Sequence, residues 1–230
     1  MNEFLLLLSV VVLYSLVLFW YKIFGKTGMY CFTVLATLTA NIEVLLLVDA
    51  FGIEMTLGNV LFATTFIATD ILSENEGKEC AQKAVNIGIA TGMTFVVISS
   101  LWLLYKPGVN DWAMPHFKAL FTATPRLIFS SFIVYAVAQN LDVWLYHKIW
   151  KKTEEKCGDK TRYLWVRNNI ATITSQLVNA VLYNILAFYG VFSNKTLVSV
   201  ILSTFCISIV TSLLDTPVVY ISRKIIADNK

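Results

Sequence analysis

Residues 4–24 read FLLLLSVVVLYSLVLFWYKIF, an apolar run broken by a single charge, Lys22. As a helix it would be about 30 Å long, the thickness of a bilayer's hydrocarbon core. No basic stretch precedes it and no small-residue cleavage site follows, so it reads as a retained helix rather than a signal peptide. The rest of the chain repeats the pattern. Of 230 residues, 57% are hydrophobic and 14% charged, against about 45–50% and about 25% in soluble domains. Too little polar surface is available to coat a globule in water, and the apolar residues arrive in blocks of spanning length.

Seven segments are expected, at about Phe4–Phe24, Met29–Val48, Thr56–Leu72, Ala84–Tyr105, Ala123–Tyr146, Asn168–Phe188 and Thr196–Tyr220. They predict an all-α integral membrane protein with the lipid bilayer as its partner. The third is the shortest and is either little tilted or partly re-entrant. No loop is long enough for a core of its own, so residues 1–230 read as one transmembrane domain. The connection Lys106–Lys118, with Trp102 and Trp112 suited to the headgroup belt, reads as interfacial.

Basic residues set the orientation. The loop between segments five and six holds Lys148, Lys151, Lys152, Lys156, Lys160, Arg162 and Arg167, and the tail holds Arg223, Lys224 and Lys230. Both are expected in the cytoplasm, with the chain in the inner membrane. Seven spans then place the N-terminus outside, Lys22 and Lys26 inside and the acidic Asp49–Glu54 turn outside. This rule accounts for the net charge of +3 without direct nucleic acid binding. Cys31, Cys80, Cys157 and Cys206 are scattered and form no C-x-x-C, which gives no support to a disulfide framework or a zinc site. Gly88 and Gly92 make a G-x-x-x-G, a pattern that allows close helix approach or a homodimer.

The informative residues are those that interrupt the apolar runs, because a carboxylate at mid-bilayer costs about 2.5–3.5 kcal/mol on insertion scales and must find a partner or line water. On segment six, Asn169, Thr172, Gln176, Asn179 and Tyr183 recur at helical spacing. Ser131, Tyr135, Gln139 and Asp142 do so on segment five, Asn59, Phe62, Phe66, Asp70 and Ser73 on segment three, and Thr204, Ser208, Thr211 and Asp215 on segment seven. Four such stripes can meet only inside the bundle. Asn41 and Glu43 lie about 200° apart around a helix, so one packs while the other faces the cavity. Such stripes also glue helices together. Asp142 and Asp215, near helix ends, are open to a capping role or to pairing with neighbouring Lys and Arg, whereas at least one of Glu43 and Asp70 reads as a substrate contact. Neither H-E-x-x-H nor G-x-S-x-G is present, and His116 and His147 lie outside the spans. No protease motif surrounds the aspartates. The chain is therefore expected not to be an enzyme and to need no cofactor.

Three stretches carry a resemblance: Phe66-Ile67-Ala68-Thr69-Asp70-Ile71-Leu72 running to Glu76-Gly77, then Ala138-Gln139-Asn140-Leu141-Asp142-Val143, and Trp165-Val166-Arg167-Asn168-Asn169 running to Thr174-Ser175-Gln176-Leu177. With Leu214-Asp215-Thr216-Pro217 they are similar, in order and spacing, to the queuosine-precursor transporter family, also called the VUT family. The resemblance spans about residues 30 to 222, so residues 28–222 form the family's six-helix core and residues 1–27 an additional helix. Asn179 stands where many members are expected to carry an acid, so no charge-dependent role is carried over to it.

The resemblance implies import of 7-deazaguanine bases, such as 7-cyano-7-deazaguanine or queuine, for modification of transfer RNA. The substrate would then be a small nucleobase-like molecule. A guanine-like edge offers a ring N–H beside an amine, which a carboxylate accepts in bidentate fashion, and a carbonyl that needs an amide donor. Glu43 or Asp70 would supply the first and Gln139, Gln176 or Asn179 the second. Phe62, Phe66 and Tyr183 would sandwich the ring. The leading reading is a stand-alone secondary transporter with a membrane carboxylate coupling uptake to protons. Its rivals are a substrate-binding subunit driven by a separate ATPase, since no Walker A sequence is present, and a scaffold without transport.

Overall fold

At Gly25 the chain takes φ 56° and ψ −141°, a combination open essentially to glycine alone. The helix α1 (Asn2–Glu43) reverses there, so residues 2–24 and 26–43 form two antiparallel arms. The return is proved at the far end. Asn2 donates to the Asp49 carbonyl at 2.8 Å, and the Phe51 amide donates to Glu3 at 3.2 Å. Close packing at the reversal needs Gly28, because a Cβ there would meet the Phe24 Cβ at 2.8 Å and the Trp20 carbonyl.

The computed structural model describes residues 1–122, 125–159, 162–190 and 193–228. After α1 come β1 (Leu47–Ala50), β2 (Ile53–Thr56), α2 (Gly58–Asn75), α3 (Lys78–Trp102), α4 (Met114–Thr122), α5 (Pro125–Cys157), α6 (Leu164–Phe188) and α7 (Asn194–Asp228). Four helices, α1, α3, α6 and α7, are long and apolar enough to cross a membrane, and α1 supplies two arms. α2 and α5 carry more polar residues. α2 is enclosed by its neighbours, its residues buried almost without break from Val60 to Ser73, so it needs no lipid-facing surface. With α2 about 27 Å long, and α1 counted as two arms, the bundle has seven long helical segments among the described residues. Leu7, Val11, Val12, Val97, Leu101 and Val210 are exposed, an apolar surface that suits acyl chains rather than water.

Three boundaries depart from expectation. Segment two ends as a helix at Glu43, and residues 47–56 form an antiparallel hairpin, Leu47 opposite Thr56 and Ala50 opposite Ile53. Its turn, Phe51-Gly52, has both φ angles positive, the geometry that matches strand twist. From Met114 the connection after α3 becomes helical. The Asp111 carboxylate accepts from the amides of Ala113 and Met114 at 2.8 and 3.0 Å, and Phe117 and Phe121 pack edge-on against Trp102. Finally, α5 continues to Cys157, so Lys148 to Lys156 ride on a helix rather than a loop.

The first arm is part of the core rather than an accessory. Val17 and Tyr21 are buried, Tyr14 donates to the Thr211 carbonyl of α7 at 3.0 Å, and Tyr21 donates to Glu76 at 3.3 Å. The four cysteines are free thiols.

Candidate functional site

The four polar stripes do face inward. A cavity lies in the half of the bundle nearer the β-hairpin. The second arm of α1 contributes Thr37 and Asn41, α2 Asn59 and Phe62, α3 Gly88 and Gly92, α5 Ser131, Phe132 and Tyr135, and α6 Asn179 and Tyr183. Several of these are half-buried rather than buried, so the cavity is open at that end. Every lining residue is uncharged. Its walls are amides, hydroxyls and rings, with Phe62 edge-on to Tyr135 at 6.0 Å. The hydroxyls of Thr37 and Tyr135 are neighbours, yet neither makes a well-formed hydrogen bond. Both are therefore available to a ligand's polar edge.

Gly88 explains how the wall is built. A Cβ there would overlap the Tyr135 hydroxyl and come within 2.7 Å of Tyr135 Cζ, whereas at Gly92 it would meet Phe132 at an ordinary 3.6 Å. The G-x-x-x-G therefore faces inward and lets the Tyr135 ring lie against α3, and its two glycines offer no outward face to a second copy.

Beneath the cavity the bundle closes. Phe66, one turn beyond Phe62 and edge-on to it at 5.4 Å, is fully buried. Next, Gln139 donates to Thr65 at 2.7 Å and accepts from Thr69 at 3.3 Å. One turn further, Asp70 accepts from Thr172 at 3.2 Å and Asp142 from Ser175 at 2.8 Å. The two carboxyls come within hydrogen-bond reach of each other, and each keeps one buried oxygen with no other hydrogen bond. Two carboxylates this close repel each other unless a proton lies between them.

Eleven residues were candidates. Asn41, Phe62, Asn179 and Tyr183 line the cavity. Phe66, Asp70, Gln139, Asp142 and Gln176 lie in the buried layers beneath it. Glu43 is half-buried at the end of α1 and does not line the cavity. Asn169 instead joins helices, donating to Thr216 of α7 at 2.7 Å. A capping or ion-pairing role for Asp142 and Asp215 is corrected. Both are buried, their hydrogen bonds come from Ser175 and Asn168, the latter at 2.6 Å, and among the described residues neither pairs with a basic side chain. Among the described residues no three His, Cys, Asp or Glu side chains gather to hold a metal.

Sequence reasoning did not select Thr37 or Asn59 as ligands. It also passed over Glu74, whose side chain is 1% exposed and pairs with Arg167 and Arg223. Helical spacing carried a signal for it, since Glu74 lies one turn beyond Asp70.

Comparison with known proteins bears on this arrangement. The model of a family described as "Putative vitamin uptake transporter" matches residues 56–222. The "Probable queuosine precursor transporter" of Bacillus subtilis (strain 168) is 33% identical over 217 residues, covering 94% of this chain and 93% of that one. That coverage leaves too few residues to omit the α1 hairpin, which the family model does not include. No solved structure matches the chain.

Proposed function

Because this chain belongs to the putative vitamin uptake transporter family, we propose that it is a membrane importer of queuosine precursors, the 7-deazaguanine bases, acting as a secondary transporter. The observation that carries the reading is the uncharged cavity of three asparagines and four aromatic rings, half open at one end. A flat neutral heterocycle with donors and acceptors on its edge satisfies such walls. A nucleotide does not, because no Lys or Arg lines the cavity to neutralise phosphate. Asn41, Asn59 and Asn179 serve the edge, and Phe62, Tyr135 and Tyr183 serve the faces.

In the arrangement described here the carboxylates are a second station. Asp70 and Asp142, with Gln139 and Gln176, lie past Phe66 on the route through the bundle and would take the base's N–H and amine as it advances. A proton shared by Asp70 and Asp142 is the natural coupling ion for uptake. Positive-inside placement puts the charged end, with Lys148 to Lys156, in the cytoplasm and the cavity mouth outside.

The test is restoration of queuosine in transfer RNA. Cells unable to make or import the precursor are given 7-cyano-7-deazaguanine, its aminomethyl form or queuine at low concentration, with and without this protein. Expression restores modification with at least one base, and uptake of the labelled base is blocked by unlabelled analogues but not by the corresponding nucleotides. If the folded protein restores modification with none of them, this substrate assignment is wrong.

A further inference from the structure

The cavity is sealed from the opposite face of the bundle, and the seal ends in an ion cluster. Glu74, on the last turn of α2, accepts from Arg167 of α6 at 2.6, 2.7 and 2.9 Å. It also accepts from Arg223 of α7 through Nε at 2.6 Å and through Nη2, and from Tyr146 of α5 at 2.5 Å. The Arg167 guanidinium is fully buried and lies 4.1 Å from the centre of the Trp150 ring. One carboxylate thus ties together four helices, α2, α5, α6 and α7.

Its position matters. Glu74 is twelve residues beyond Phe62, about 18 Å along α2, and everything on that line, Phe66, Thr69 and Asp70 included, is buried. On the other side of Glu74 a second hollow opens, lined by Ser73, Glu74, Lys78, His147, Trp150 and Lys151 among others. Two hollows at opposite ends, with a closed middle, describe a carrier in one of its two states.

Burying one carboxylate with two guanidinia is a poor way to gain stability, because desolvation cancels much of the attraction and apolar side chains would do as well. It is a good way to make a contact that opens. When water enters, each partner is rehydrated, so the closed and open states differ by only a few kcal/mol, as an alternating cycle requires. α7 also carries Pro217 inside the helix. Lacking an N–H, it leaves the Leu213 carbonyl without its helical donor and weakens α7 just before Arg223.

The geometry points to Glu74, Arg167 and Arg223 as the gate at the charged end, closed here while the cavity is open, and required to part for the base to leave. This inference rests on the transport reading above. Its test uses the neighbouring contact Asn75 Nδ2 to Ser222 Oγ, 2.8 Å, which joins the same ends of α2 and α7. In a chain lacking the four native cysteines, Asn75→Cys and Ser222→Cys are combined, the protein is reconstituted in liposomes, and binding and uptake of labelled 7-cyano-7-deazaguanine, its aminomethyl form and queuine are followed.

Reduced, the pair takes up base as the parent does. Cross-linked by oxidant or a short bifunctional thiol reagent, it still binds base but uptake falls to the background of empty liposomes, and reductant restores it. Full uptake by cross-linked protein overturns the gate, as does failure to cross-link, since a closed gate holds these side chains in contact. If the reduced pair is inactive, Glu74→Gln decides. Thr69→Cys, shielded in the parent, then becomes reactive several-fold faster to impermeant reagent added at the charged end, and no gain in reactivity rejects the gate. A parent chain that takes up none of the bases counts against the transport reading instead, leaving these accessibility results to judge the gate on their own.

Discussion

A single missing methyl shapes the cavity wall. At Gly88 a side chain would occupy the space of the Tyr135 ring, while at Gly92 the same methyl meets only ordinary contacts. Gly88→Ala must push Tyr135 into the cavity or strain α3 against α5, at a cost of about 1–3 kcal/mol. Calorimetric titration of 7-cyano-7-deazaguanine, its aminomethyl form or queuine, whichever binds the parent, is expected to show affinity lowered about tenfold or more in Gly88→Ala, the equivalent of about 1.4 kcal/mol. Gly92→Ala stays close to the parent. Equal effects of the two would mean that the Tyr135 wall is not part of the binding site. The stripe containing Tyr135 was visible in the sequence because its period is helical, but the need for Gly88 beside it was not, since nothing local records which ring lies across from a glycine. Glu74 and Arg167 escaped notice for a related reason. Charges near a span's end usually reach water, and Arg167 was counted for orientation, yet the structure buries it completely.

Among the elements, the α1 hairpin follows directly from composition. Apolar runs on either side of Gly25-Lys26-Thr27-Gly28 can only be two spans, and the reversal falls on Gly25. The β-hairpin was less legible, because four-residue strands are too short to show alternation and Leu45 to Val48 is as apolar as a helix end. Counting apolar residues also shortened α5. Its extension is rich in Lys and Glu, good helix formers that pair at i and i+4, as Lys151 and Glu155 do at 4.0 Å. For α1 the backbone angles make a sharp prediction. Alanine at residue 25 must hold φ near +56°, in a region that costs a non-glycine residue about 1–3 kcal/mol. Gly108 has ordinary φ and open space around it, so Gly108→Ala should change stability by less than about 0.5 kcal/mol. Thermal unfolding in detergent is expected to show a lower midpoint for Gly25→Ala only. An unchanged midpoint would mean that the reversal does not require the recorded angles.

Across the whole molecule the charges are polarised, and folding sharpens what the linear count suggested. Tyr21 reaches Glu76, which brings Lys22 and Lys26 to the same end as Lys78, the α5 extension, Arg167 and Arg223. At the opposite end Asn2 and Glu3 meet the β-hairpin, and of the described basic residues Lys106, Lys118, Arg126 and Lys195 fall toward it. The excess at the first end is what positive-inside insertion reads. Cys157, exposed at the tip of α5, reports on that end, and Asn110, exposed in the connection after α3, reports on the other. In a chain with the remaining cysteines replaced, Cys157 is expected to react with an impermeant thiol reagent only after the cytoplasmic face is opened. A chain carrying Asn110→Cys as its sole cysteine reacts in intact cells. The reverse pattern would invert the molecule. The open cavity would then face the cytoplasm and the Glu74 cluster would close the outer side, so the same geometry would describe the protein after releasing its cargo rather than before taking it.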